Sequence, residues 1–87
     1  MKILKFGASW CQPCAALTKT LQDVNLAGFE LQEVDVEENQ ELAAKYGIRN
    51  VPTMVMVDES GELKSISVGT KSKTAVEEWL STNAVVV

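Results

Sequence analysis

The stretch Trp10-Cys11-Gln12-Pro13-Cys14 follows closely on the short apolar run Ile3-Leu4-Lys5-Phe6, and together they decide how the chain folds. The run is typical of a strand and the residues after the cysteines of a helix, so Cys11 is expected at a helix N-terminus. Backbone N–H groups and the helix dipole stabilise a thiolate there. Because these are the only cysteines of the chain, the spacing predicts a small reversible disulfide and a nucleophilic thiol.

Length and composition predict one small packed domain over residues 1–87. Hydrophobic residues make up 46% of the chain and charged residues 23%, which is typical of a packed protein. The net charge of −4 argues against nucleic-acid and anionic-membrane partners. The sequence has neither a signal-peptide core nor a run of about 20 apolar residues, so a cytoplasmic location is expected. In that reducing compartment, a lone close cysteine pair indicates catalysis or metal binding rather than a structural staple.

Hydrophobic periodicity predicts the element order β-α-β-α-β-β-α. The predicted strands cover residues 2–7, 29–36, 51–57 and 63–68, with a turn at 58–61 between the last two. The predicted helices run from 11 to 26, from a cap at Asn39 to Gly47, and onward from a cap at Thr70 or Ser72. Trp79 lies on the apolar face of the last helix and is assigned to the core, while residues 84–87 are expected to be a frayed end.

Metal-based alternatives fit the cysteine pair poorly. Zinc needs about four Cys, His or carboxylate ligands, and this chain has no histidine and no second cysteine pair. Only a zinc site shared between subunits, or an iron–sulfur cluster bridging two chains, remains open. Haem attachment is excluded because Ala15 follows the motif where a histidine would be required.

The chain resembles thioredoxins over almost its whole length. The matching residues are Ala8, Trp10-Cys11, Pro13-Cys14, Lys45-Tyr46-Gly47-Ile48-Arg49, Val51-Pro52-Thr53, Ser60-Gly61-Glu62 and Val68-Gly69. The resemblance implies an α/β thioredoxin fold with a four-stranded mixed sheet, strand order 2-1-3-4, flanked by three helices. Ordinary thioredoxins carry a further strand and helix before the motif, so this chain corresponds to a minimal, glutaredoxin-sized core.

The resemblance also implies roles for the motif residues. Cys11 would be the attacking thiolate and Cys14 the resolving thiol in thiol–disulfide exchange. Pro13 belongs in the first turn of the helix, where its missing N–H costs nothing. Gln12 replaces the usual glycine in the dipeptide that tunes redox poise in this family.

A second segment, Val51-Pro52-Thr53, is expected to face the cysteines. In the family this segment holds a cis peptide, and the backbone of the residue before the proline pairs with an extended substrate segment. We therefore expect Pro52 to be cis, although few X–Pro bonds are. Trp10 would shape a docking surface with Val51, Pro52 and Gly69, and Thr53 is a further candidate docking residue. Ordinary core packing is an equally acceptable role for Trp10.

Two charged residues depart from the family pattern. Lys5 occupies the place of the family's buried aspartate, and Glu33 that of its partner lysine. Two solvated charges would explain the pattern alone, but the matching positions lie beneath the active site. We expect an ion pair with exchanged charges, because a buried unpaired charge would be costly. Glu33 would then relay the proton of Cys14, and Lys5 would lower a thiol pKa.

Together these residues predict a protein-disulfide reductase whose redox centre is its own Cys11–Cys14 pair, without metal or other cofactor. The resemblance implies thioredoxin reductase as the electron donor and disulfide-containing proteins, ribonucleotide reductase among them, as clients of a monomer. Two alternatives stay open. One is a glutathione-linked, glutaredoxin-like enzyme, and the other is a binding module that keeps the fold as a docking surface.

Overall fold

The computed structural model describes residues 1–26 and 28–83. The sequence predicts the order of its elements correctly. The strands are β1 (Lys2–Gly7), β2 (Glu30–Asp35), β3 (Thr53–Val57) and β4 (Leu63–Val68). The helices are α1 (Gln12–Gln22), α2 (Gln40–Lys45) and α3 (Lys73–Asn83). The predicted frayed end at 84–87 lies outside the described residues.

The four strands form one mixed sheet in the order β2-β1-β3-β4, as the resemblance implied. β1 pairs in parallel with β2 and antiparallel with β3, and β3 pairs antiparallel with β4. The strands β2 and β4 are therefore the two edges of the sheet. β1 lies inside the sheet, so its C-terminal end, where the cysteine loop begins, has a neighbour on each side.

Each face of the sheet buries its own apolar cluster. One cluster joins α1 and α3 to the sheet and consists of Ile3, Leu17, Leu21, Val24, Phe29, Met54, Met56, Val76 and Leu80. The other lies against α2 and consists of Leu4, Phe6, Val34, Ala43, Val55 and Val57. Because side chains alternate along a strand, Lys5 points to the same face as Ile3, towards α1. Its β3 partner Met54 belongs to that same cluster.

Several predicted boundaries differ from the structure, and two of them have a clear consequence for the core or the site. The first helix ends at Gln22 rather than at residue 26, because the N–H groups of Asp23 and Val24 bond three residues back, to Thr20 and Leu21. Val24 is still buried, so the apolar pattern that predicts the helix continues beyond the end of the helix. The third strand begins at Thr53 instead of residue 51.

Two side-chain hydrogen bonds position α3. Ser72, one of the two predicted caps, accepts a hydrogen bond from the Ala75 N–H (3.1 Å) at the start of α3. Trp79 is half-buried against the α1/α3 cluster, and its indole N–H also donates to Ser65 Oγ on β4 (2.8 Å). Trp79 therefore has the predicted core role and a second structural role, because its hydrogen bond connects α3 to the edge strand β4.

The predicted turn between β3 and β4 is organised by one carboxylate. Asp58 Oδ1 accepts hydrogen bonds from the Ser60 hydroxyl (2.6 Å) and from the N–H groups of Glu62 (3.0 Å) and Ser60 (2.9 Å). These bonds favour the charged form of the carboxyl group and lower the pKa of Asp58 from 3.8 to about 2. The bond from the Ser60 hydroxyl has the largest effect. Gly61 supplies the positive φ (86°) that closes the turn, and its carbonyl accepts the Tyr46 hydroxyl (2.7 Å).

Candidate active site

The two cysteines lie where the loop after β1 turns into α1. Cys11 is the N-cap of that helix, and its N–H donates to the Ala8 carbonyl (3.1 Å) to close the turn. The Cys11 sulfur accepts the backbone N–H of Cys14 at 3.2 Å. The two residues form a disulfide with their Cα atoms 5.2 Å apart. The structure therefore places the pair at a helix N-terminus, as the sequence predicts.

The surroundings of the pair are exposed although the sulfurs are not. Cys11 and Cys14 are 7% and 4% exposed, whereas the adjacent Trp10 is 66% exposed. Gln12 and Pro13, in the first turn of α1, are also exposed. The core-packing role considered for Trp10 is therefore wrong. An indole that stands out from the surface beside a buried disulfide is instead available to a docking partner.

The segment containing Pro52 reaches the same end of the sheet. The Val51–Pro52 peptide bond is cis, which confirms the prediction. The next residue, Thr53, pairs with Phe6 on β1 and with Val68 on β4. Pairing with Phe6 brings the start of β3 level with the end of β1, and so next to the loop that leads to the cysteines.

The loop after β4 is bound to the active-site region by two hydrogen bonds. The Gly69 N–H donates to the Pro52 carbonyl (2.8 Å), and the Thr70 hydroxyl lies 3.5 Å from the Pro13 carbonyl. The loop therefore touches both the cis-proline segment and the first turn of α1. The cysteine turn, the cis-proline segment and the loop at Gly69 are therefore close together, although they are far apart in the sequence.

The predicted docking residues differ in their exposure to solvent. Val51 and Gly69 are half-buried. Thr53 is only 3% exposed, and its hydroxyl already donates to the Asn50 carbonyl (2.7 Å). The Thr53 side chain therefore holds the segment in shape, while Val51 and Gly69 present surface to solvent.

Beneath the cysteines, the structure forms the expected ion pair. Lys5 and Glu33 are partners in the β1–β2 register, and Lys5 Nζ lies 3.4 Å from Glu33 Oε1. Their environments are unequal, because the Lys5 side chain is 5% exposed and that of Glu33 60%. A cleft of about 380 Å³ runs past both residues and past both cysteines.

Thr18 also belongs to the site, although it is not among the predicted residues. Its hydroxyl lies 3.1 Å from the Cys14 carbonyl and also 3.1 Å from Glu33 Oε1. The spacing of four residues from Cys14 is the ordinary signal for a hydroxyl that bonds back along its own helix. No local signal shows the contact with Glu33, which arises only when α1 packs over β2.

A buried disulfide at a helix N-terminus, on a four-stranded sheet of this order and next to a cis-proline segment, defines the class of thioredoxin-fold dithiol–disulfide proteins. The family model for thioredoxin matches residues 1–82. The chain belongs to the thioredoxin family, and it is a thiol–disulfide oxidoreductase of the disulfide-reductase type.

Individual relatives agree with this assignment. The chain is 34% identical over 84 residues to a thioredoxin of Rickettsia bellii, covering 93% of this chain and 79% of that protein. It is 37% identical over 79 residues to a thioredoxin of Bacillus subtilis, covering 87% and 75%. A solved structure of a mutant thioredoxin from Halobacterium salinarum superposes with a TM-score of 0.84 at 32% identity, covering 99% of this chain and 76% of that one.

Proposed function

We propose that Cys11 is the attacking thiolate and Cys14 the resolving thiol in the reduction of protein disulfides. The position of Cys11 carries the proposal: its sulfur caps α1 and accepts the Cys14 N–H at 3.2 Å. A helix N-terminus favours negative charge, and sites of this kind lower a thiol pKa from about 8.5 to about 7. Cys14 lies within the first turn and is the more buried of the two.

The reaction consists of two exchanges. The Cys11 thiolate attacks one sulfur of the client disulfide, a Cys11–client bond forms, and the other client sulfur leaves as a thiolate. Cys14 then attacks the Cys11 sulfur, the mixed disulfide breaks, and the second client sulfur leaves. The client gains two electrons and the enzyme ends with the Cys11–Cys14 disulfide, so the chain needs no further cofactor for either step.

Clients would dock across the surface formed by Trp10, Val51 and Gly69. The exposed indole of Trp10 supplies apolar contact area, and the backbone of Val51 would pair with an extended client segment. The mixture of one aromatic anchor and backbone hydrogen bonds fits many unrelated client sequences. We propose disulfide-containing proteins, ribonucleotide reductase among them, as clients of a cytoplasmic monomer.

The proposed electron donor is thioredoxin reductase. The chain's place in the thioredoxin family supports this donor over glutathione. No helix among the described residues is long and apolar enough to cross a membrane.

Insulin-disulfide reduction tests the roles of the cysteines. We expect Cys11→Ser to abolish turnover, and Cys14→Ser to accumulate a client mixed disulfide that a reductant releases. Turnover by Cys11→Ser, or trapping by Cys11→Ser instead of Cys14→Ser, would contradict the assignment. An unreactive wild-type protein would favour the binding-module alternative.

The same assay identifies the electron donor. Turnover is driven by NADPH with thioredoxin reductase in one arm, and by NADPH with glutathione and glutathione reductase in the other. We expect turnover in the first arm. Turnover only in the second would make the protein a glutaredoxin-like enzyme.

A further inference from the structure

Lys5 is the only charged residue that the fold buries among the described residues. It lies on the central strand β1, and its side chain points towards α1, the helix that carries the cysteines. Glu33 is its ion-pair partner at 3.4 Å. Burying an ammonium lowers the stability of the fold even when the ammonium is paired. The burial of Lys5 close to the cysteines therefore indicates a role in their chemistry.

Gly7 leaves the space between this ammonium and Cys14 open. A Cβ atom at residue 7 would lie 3.3 Å from Cys14 Sγ and 3.8 Å from Lys5 Nζ. The sulfur and the ammonium are therefore at most about 7 Å apart, the sum of these distances, a separation at which a buried charge changes a thiol pKa. Both residues also line the cleft beside the active site.

The negative groups around Cys14 face more solvent than Lys5 does. The Glu33 side chain is 60% exposed, so water and salt screen its charge more than that of Lys5. Asp35 also lines the cleft, but its Oδ1 accepts the Glu37 N–H at 2.8 Å. Cys11, the remaining titratable group there, caps the positive end of α1. Among the charged residues lining this cleft, Lys5 is therefore the one whose charge is buried and least screened by solvent.

We propose that Lys5 is a positioning residue that favours the thiolate form of Cys14 for the resolving step, a role that rests on the proposed function. In that step the Cys14 thiolate attacks the Cys11 sulfur of the mixed disulfide. The Cys11–Cys14 bond forms, the Cys11–client bond breaks, and the electron pair leaves on the client sulfur, which takes a proton from water. A cation then assists the attack, and Glu33 holds that cation in place instead of accepting the proton of Cys14.

The Lys5 charge also affects the redox potential of the Cys11–Cys14 couple. A charge that stabilises the Cys14 thiolate stabilises the dithiol form relative to the disulfide. The Cys11–Cys14 couple is then more oxidising than it would be without Lys5. Removing the charge is expected to make the couple more reducing.

The test titrates Cys14 alone, in a Cys11→Ser background, by the ultraviolet absorbance of its thiolate. We expect Lys5→Met to raise the Cys14 pKa by about one unit, since it removes the charge and keeps the apolar stem. Lys5→Arg is expected to keep the pKa low. Glu33→Gln is expected to lower it or leave it unchanged, because it removes an opposing negative charge.

The chain provides a matched control on the same two strands. Lys2 pairs with Glu30 at 3.8 Å, in the same β1–β2 register but at the opposite end of the strands from the cysteine loop. Lys2→Met should leave the Cys14 pKa unchanged. An unchanged pKa in Lys5→Met, or an equal rise in Lys2→Met, would overturn the proposal.

A rise in Glu33→Gln as large as that in Lys5→Met would also overturn it, because loosening of the site would then explain both. Circular dichroism checks that each variant is folded. The redox potential of Lys5→Met with both cysteines present, measured against glutathione, gives a second readout. Titration needs no client, so a wild-type protein that fails to reduce insulin would refute the proposed function without affecting this result.

Discussion

Leu17 anchors the helix that carries the cysteines, and replacing it measures how much that anchor contributes to the stability of the fold. Its side chain is 0% exposed and belongs to the cluster that joins α1 and α3 to the sheet. A buried leucine changed to alanine loses its transfer free energy and leaves a cavity, at a cost of about 2–5 kcal/mol. We expect Leu17→Ala to lower the free energy of unfolding by about 3 kcal/mol, a large fraction of the stability of a small domain.

Urea denaturation of the oxidised protein, followed by circular dichroism, is the appropriate assay. Leu63→Ala is the matched control, because Leu63 is 43% exposed on the edge strand β4 and the same atoms are removed. That variant should lose about 1 kcal/mol or less. If both substitutions cost the same, or Leu17→Ala costs less than about 1 kcal/mol, the assignment of Leu17 as the anchor of α1 is refuted.

Three further measurements test other contacts. Reducing the Cys11–Cys14 disulfide, which closes a loop of sequence separation 3, should lower the unfolding free energy by about 2 kcal/mol, and the reductant should have no effect on Cys14→Ser. The pKa of Asp58 is lowered from 3.8 to about 2, so its carboxylate stabilises the fold above pH 3.8 and loses this effect as the pH falls through 2. Thermal melts of Asp58→Asn should therefore lack this part of the loss of stability in acid. Tyr46→Phe removes the 2.7 Å bond to the Gly61 carbonyl and should cost about 1 kcal/mol in urea, whereas a neutral result would show that water replaces the bond.

Periodicity predicts the elements of this fold well, because most of them show their buried face in the sequence. Strand β3 is buried at every position, and all of its residues after Thr53 are apolar. The boundaries were less predictable. Val24 is buried from a position beyond the end of α1, so burial and helical structure end at different residues there. The order of the strands followed from the family resemblance, since pairing between distant strands leaves no local signal.

The predictability of the site depended on how local each contact is. The helix cap by Cys11 is contained in five consecutive residues and could be predicted from them. The Lys5–Glu33 pair required an alignment with the family, because the parallel register that brings the two strands together spans 28 residues of chain. Thr18 could not be found, since its contact with Glu33 depends on how α1 crosses β2. The exposure of Trp10 could not be found either, because a tryptophan next to a core strand is equally compatible with burial.

The two edges of the sheet affect how the protein behaves at high concentration. An open strand edge invites pairing with another chain, and charged side chains or a bulge discourage it. Edge strand β2 carries Glu30, Glu33 and Asp35, and the pairing of β3 with edge strand β4 is irregular between Met56 and Val57. Two copies meeting edge to edge through β2 would bring these carboxylates together. Self-association is therefore expected to increase when salt screens the acidic edge, so salt-dependent light scattering would reveal a colloidal property that is separate from the chemistry of the disulfide.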